Sequence, residues 1–140
     1  MNNSFSIILS AGRSCFVMCP GCYNFFGKNE RLTSSQNILD FLAYTKTKGV
    51  EKVTVGGGDP LSRPDIVDLL ENIKNMGYRI HLDTVGTPLL REANTKFYGN
   101  HNVPQVPADR IAELADLIGI PLDGISNESM QKFRTKRDNI

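Results

Sequence analysis

VEKVTVGGGDPLSRPDIVDLLENIKNMGYRIHLD, residues 50–83, reads as strand, helix, strand. Val50 to Val55 is β-rich and stops at three consecutive glycines. Pro64 stands where the first turn of a helix should begin. Ile66, Leu69, Leu70, Ile73 and Met76 then recur at helical spacing, and Gly77 suits the C-cap. Tyr78 to Leu82 is a further strand, closed by Asp83-Thr84-Val85-Gly86. Two strands joined through a helix form a parallel βαβ unit.

The same alternation continues on both sides. Upstream, Phe5 to Leu9 is a short apolar run ending at Ala11-Gly12, as a buried strand would. Ser34 or Ser35 caps a helix whose apolar face is Ile38, Leu39, Phe41 and Leu42, running to Gly49. Downstream, Thr87 to Pro107 is polar and broken by prolines, an irregular excursion. Pro107 opens a helix over Ala108 to Ala115, and Leu117 to Leu122 is a fourth strand closed by Asp123-Gly124. The expected fold is α/β with a parallel sheet of about four βα units. Right-handed crossovers put every strand's C-terminal end on one edge, the edge that carries ligands in α/β folds. The cysteines, the glycine run, Asp83-Thr84 and Asp123-Gly124 all fall at those ends.

With 140 residues the chain is one domain's worth. A net charge of +1 leaves no electrostatic footprint for nucleic acid or an anionic membrane. The basic run Lys132, Arg134, Lys136 and Arg137 reads as a solvated helix end. No apolar stretch approaches the roughly 20 residues of a membrane helix, and Phe5 to Leu9 is too short for a signal peptide. A cytoplasmic location is expected. Tyr44, Tyr78, Phe97 and Tyr98 read as packing residues rather than radical relays.

Three cysteines fall within eight residues, Cys15-Phe16-Val17-Met18-Cys19-Pro20-Gly21-Cys22. So tight a cluster suits metal or redox chemistry better than a disulfide framework. Three thiolates can hold three irons of a cubane and leave the fourth open to a ligand. Zinc usually takes four ligands, and the two histidines, His81 and His101, lie far off in sequence, though His81 could approach from the third strand. The glycines at 56–58 allow a ligand to lie on the backbone, and a strand-to-helix turn is the plainer alternative. They are not a P-loop, since no Gly-Lys-Ser/Thr follows.

The C-x3-C-x2-C spacing after a first strand resembles the defining motif of the radical S-adenosylmethionine (radical SAM) superfamily. Cys19-Pro20-Gly21-Cys22-Tyr23-Asn24 is similar to the loop of anaerobic ribonucleotide reductase activating proteins, which also carry an aromatic residue after the last cysteine. Gly56-Gly57-Gly58-Asp59-Pro60 resembles the family's Gly-Gly-Glu motif with Asp in place of Glu. The resemblance implies a partial (β/α) TIM-like barrel, with a [4Fe–4S] cluster on Cys15, Cys19 and Cys22. It implies S-adenosylmethionine held near Gly56, Gly57, Gly58 and Asp59, with lesser roles for Asp83 and Thr84. Ile120-Pro121-Leu122-Asp123-Gly124 is similar to a strand-four segment of peptide-modifying members, and Arg134 stands where that group often has an arginine reaching the ligand's carboxylate.

The implied activity is reductive cleavage of S-adenosylmethionine to a 5′-deoxyadenosyl radical. That radical would abstract hydrogen from a peptide or small molecule, and the electron would come from a donor such as flavodoxin or ferredoxin. A glycyl-radical activase and a non-catalytic iron–sulfur or zinc module are the alternatives. Residues 1–140 are expected to be a radical SAM core domain. It is either minimal, as the activating proteins are, or cut short after its fourth strand, and the second is favoured because residues 134–140 resemble the middle of longer members.

Overall fold

The computed structural model describes residues 5–12, 15, 17, 19–22, 32–90 and 105–133. Strand β1 (Phe5–Gly12) is followed by α1 (Ser35–Thr47), β2 (Val50–Gly57), α2 (Ile66–Asn75), β3 (Arg79–Asp83), α3 (Ala108–Leu114), β4 (Leu117–Gly119) and α4 (Asn127–Phe133). The four strands form one sheet in the order β1-β2-β3-β4, every neighbouring pair parallel. Among the described residues no helix is long and apolar enough to cross a membrane.

Alternation along each strand decides which side chains meet the helices. Ala11, Val53, Val55, Ile80 and Leu82 are buried on one face, against Ile38 and Leu42 of α1, Leu69, Leu70 and Ile73 of α2, and Ile111 and Leu114 of α3. The intervening residues, including Ser6, Ile8, Lys52, Thr54, Arg79, His81, Asp83 and Leu117, line the other face and are exposed or half-buried. A single helix-covered face is what a barrel wall shows, the second face being the lumen.

Local differences from the sequence reading have physical causes. Phe41 is 51% exposed, and Thr45 completes the buried i, i+4, i+7 stripe with Ile38 and Leu42. The Thr45 hydroxyl donates to the Leu42 carbonyl at 3.0 Å and lies 2.9 Å from the Tyr78 hydroxyl, so a polar residue is buried at little cost. Tyr78 is a packing residue, while Tyr44 is exposed; Phe97 and Tyr98 lie outside the described residues. Strand β4 stops at Gly119 rather than Leu122, and Pro121 just beyond has no N–H for a ladder. An unforeseen 3₁₀ turn, Pro60–Ser62, precedes α2.

Helix α2 begins two residues after Pro64. Asp65 occupies its N-cap without capping, because its carboxylate is taken by Arg63 at 2.9 Å and by the Ser35 hydroxyl. The Arg63 hydrogen bond first, and then that of Ser35, hold the Asp65 carboxyl below its usual value of 3.8. A lowered folded-state value gives stability that is present above the unfolded value and lost as pH falls through the folded one. Asp65→Asn should therefore melt below wild type at pH 7, and the gap should close below about pH 4. Thermal melts from pH 7 to pH 3 test this; a gap constant with pH would contradict it.

Candidate functional site

The C-terminal ends of the strands frame an open cleft of about 570 Å³. Ile8 of β1, Cys22 of the cysteine loop, the glycines at 56–58, and His81 and Asp83 of β3 line it, with Gly119, Ile120 and Pro121 beyond. The parallel register makes this arrangement: Leu9 pairs with Val55, Val55 with Leu82 and Leu82 with Ile118, so the residues just past these levels share one edge.

All three cysteines carry thiols rather than disulfides. Cys15 is buried, Cys19 half-buried and Cys22 exposed. The Cys22 N–H donates to the Cys19 carbonyl at 3.1 Å across Pro20-Gly21, and Gly21 has φ +75°, the tight turn that Pro-Gly suits. Burial pushes the Cys15 thiol up to about 11. The Val17 N–H, 3.4 Å from its sulfur, opposes that, and the charges of Asp59, Cys19 and Cys22 add to it. Cys15 is therefore a thiol at neutral pH.

Among the described residues no three His, Cys, Asp or Glu side chains converge as ligands of a single metal ion. A cubane asks instead for one thiolate at each of several irons. Three thiols on one loop, Cys19 and Cys22 in a single turn and Cys22 at the cleft, fit that requirement.

The glycine run serves the chain as well as the cleft. Gly57 has φ +121°, and a Cβ there would strike the Gly12 carbonyl oxygen and come within 2.8 Å of Ser10 Oγ. The Gly58 N–H donates to that same carbonyl at 2.8 Å, fastening the glycine run to the end of β1. The backbone thus requires glycine at 57, and all three glycines line the cleft.

Asp59 is 2% exposed. Its carboxylate accepts from the Leu61 N–H at 2.9 Å, the Thr84 hydroxyl at 2.9 and 3.0 Å, and the Val85 N–H at 2.8 Å. It locks the end of β2 to the end of β3. Thr84 spends its proton on that lock and accepts from the Gly86 N–H, and Asp59 and Thr84 both line the cleft. Asp59→Ala would leave these donors facing a void, and unsatisfied buried groups cost about 1–3 kcal/mol each. A loss of about 3 kcal/mol or more in urea unfolding is expected; a loss under about 1 kcal/mol would show that water replaces the carboxylate.

On β3, Asp83 presents its carboxylate to the cleft with half its side chain exposed, and His81 Nε2 lies 3.0 Å from Asp83 Oδ1. From the sequence His81 stands out only as a metal ligand. The alternation of Arg79–Asp83 places both residues on the lumen face, and that signal was available. At and beyond the end of β4 the cleft takes Gly119, Ile120 and Pro121; Asp123 is not among its lining residues. Arg134 lies outside the described residues.

Residues 9–140 match the family profile described as the Radical SAM superfamily. GTP 3′,8-cyclase of Helicobacter pylori is 24% identical over 96% of this chain and 46% of its own length. A probable GTP 3′,8-cyclase of Methanothermobacter marburgensis is 33% identical over 60% of this chain and 28% of its own. The PqqA peptide cyclase of Streptomyces rochei is 30% identical over 61% and 24%. This chain thus spans between about a quarter and a half of the relatives it matches. In fold it is similar to Streptococcus suis SuiB bound to S-adenosylmethionine, with a TM-score of 0.72 at 14% identity over 94% of this chain and 28% of that one. SuiB bound to its precursor peptide SuiA gives 0.71 at 15%, over 94% and 27%. Since the profile runs from within β1 to the last residue, the chain belongs to the radical SAM superfamily, whose enzymes use a [4Fe–4S] cluster and S-adenosylmethionine.

Proposed function

We propose that this chain is the cofactor-binding part of a radical SAM enzyme that forms a bond within a small molecule or a peptide. Cys15, Cys19 and Cys22 hold the cluster, and the observation that carries the reading is Cys22 facing the glycine edge across one cleft. Bound there and reduced, a [4Fe–4S] cluster would supply the electron for reductive cleavage of S-adenosylmethionine and so for hydrogen abstraction from substrate.

The chain's own residues bind and orient. Buried Cys15 anchors one corner away from solvent. The backbone at 56–58 offers close approach to the methionyl end of the ligand, and the exposed Asp83 carboxylate accepts hydrogen bonds from its hydroxyl or amino groups. Asp59 and Thr84 act one step back, holding the two strand ends in register.

Cyclases of GTP and of a peptide among the relatives support ring or cross-link formation as the outcome, and a neighbour holding a precursor peptide makes a peptide a fitting substrate. The loop's likeness to the activating proteins has no counterpart in the relatives described above, all of them cyclases. The electron donor is of the flavodoxin or ferredoxin type. Anaerobic loading with iron and sulfide, reduction by dithionite and addition of S-adenosylmethionine test the reading. 5′-Deoxyadenosine and methionine in equal amounts are expected; a loaded, reduced protein that releases neither would contradict it.

A further inference from the structure

Arg63 is a charged side chain only 3% exposed. Burying a guanidinium is costly unless its donors are satisfied, and here the acceptors come from three separate stretches of chain. Nη1 donates to the Ala11 carbonyl and, at 3.0 Å, to the Thr33 carbonyl. Nη2 donates to the Ser35 hydroxyl and to Asp65 Oδ2, each at 2.9 Å, and Nε to Asp65 Oδ1 at 3.0 Å.

Ala11 stands at the end of β1 and Thr33 just before α1, so between them runs the whole segment that carries the three cysteines. The closure is packed as well as hydrogen-bonded. Leu32 lies over Gly12, where a Cβ would come within 3.0 Å of Leu32 Cδ1 and 3.8 Å of Arg63 Cγ. Asp65 holds the fork's orientation, paired along one edge of the guanidinium, and Ser35 bonds both partners.

We propose that Arg63 is a positioning residue that clasps the two ends of the cysteine loop, fixing where the three thiols are presented to the cleft. The inference rests on the reading of that loop as the cluster's holder. A fork is required because the acceptors lie around a plane, and one ammonium cannot reach four of them from a single point. Closing a loop at its base removes conformations in which the thiols stand apart, so the clasp acts on how long the cluster stays, without touching it.

The test compares the full chain with Arg63→Lys and Ser35→Ala. In the metal-free proteins, alkylation of Cys15 under native conditions is followed by mass spectrometry, with amide exchange in β3 as a control for global opening. Arg63→Lys should speed Cys15 alkylation about tenfold or more with β3 exchange unchanged, and Ser35→Ala about threefold, as local opening requires. After anaerobic loading, the Lys variant should lose iron to a chelator about tenfold faster than wild type, since a supporting partner is worth about that much in metal affinity.

A folded Arg63→Lys within twofold of wild type in both rates would overturn the proposal. If the Lys variant does not fold, Ser35→Ala decides, and unchanged Cys15 protection there overturns it. Wild type that takes up no iron sinks the reading of the loop, while the alkylation rates still judge the clasp.

Discussion

Cys19→Ala, loaded with iron and sulfide beside wild type, should form 5′-deoxyadenosine at a rate lower by more than about 100-fold. That is the upper end of what even outer partners of a metal contribute. Cys19 and Cys22 share one turn, closed by a 3.1 Å backbone hydrogen bond across Pro20-Gly21, so removal of one sulfur leaves the other correctly placed with a corner of the cluster unheld. Fold stability should change little, because Cys19 is only half-buried and outside the main core. Cys15→Ala should differ in this respect: its thiol is buried, and the variant is expected to lose some stability together with the cluster. A Cys19→Ala protein with wild-type product formation would remove the cysteine triplet from the mechanism.

The glycine run provides the second large effect, split between adjacent residues. Gly57→Ala places a methyl group against the Gly12 carbonyl oxygen with φ at +121°. The obstacle is backbone, which cannot rotate away, and that carbonyl already accepts the Gly58 N–H. Strain and overpacking each contribute about 1–3 kcal/mol, so a loss of about 3 kcal/mol or more is expected in urea unfolding. Gly56→Ala meets only Asp83 Cβ, at 3.7 Å, an ordinary contact. It should keep stability within about 1 kcal/mol and lower S-adenosylmethionine cleavage by occupying the cleft. Equal stability losses in the two variants would mean that the run is structural throughout.

Much of this arrangement is legible in residues 50–83. Alternating β-rich and helical patterns, punctuated by Gly77 and Pro64, predict parallel strands, and parallel strands place their ends together. The cleft therefore follows from periodicity alone. What periodicity does not carry is the use of polar side chains once buried. Asp59 and Thr84 line the cleft, but the hydrogen bonds between them, and those of Asp59 to Leu61 and Val85, join residues that no local pattern pairs. Arg63 lies between a 3₁₀ turn and Pro64, on no amphipathic stripe, and its acceptors at 11, 33 and 35 are distant in sequence. Nothing local marks it as buried. Thr45 displaces Phe41 from the α1 stripe for a similar reason: the Tyr78 hydroxyl, thirty-three residues away, makes a polar residue acceptable there.

If the cysteine loop and the glycine edge form one site, cluster and S-adenosylmethionine bind there in contact. Electron paramagnetic resonance of the dithionite-reduced, iron-loaded chain, with and without S-adenosylmethionine, tests this most directly. A [4Fe–4S]⁺ signal is expected whose g-values shift when S-adenosylmethionine is added, in wild type and not in Gly56→Ala at the same ligand concentration. A cluster signal that S-adenosylmethionine leaves unchanged in wild type would contradict it.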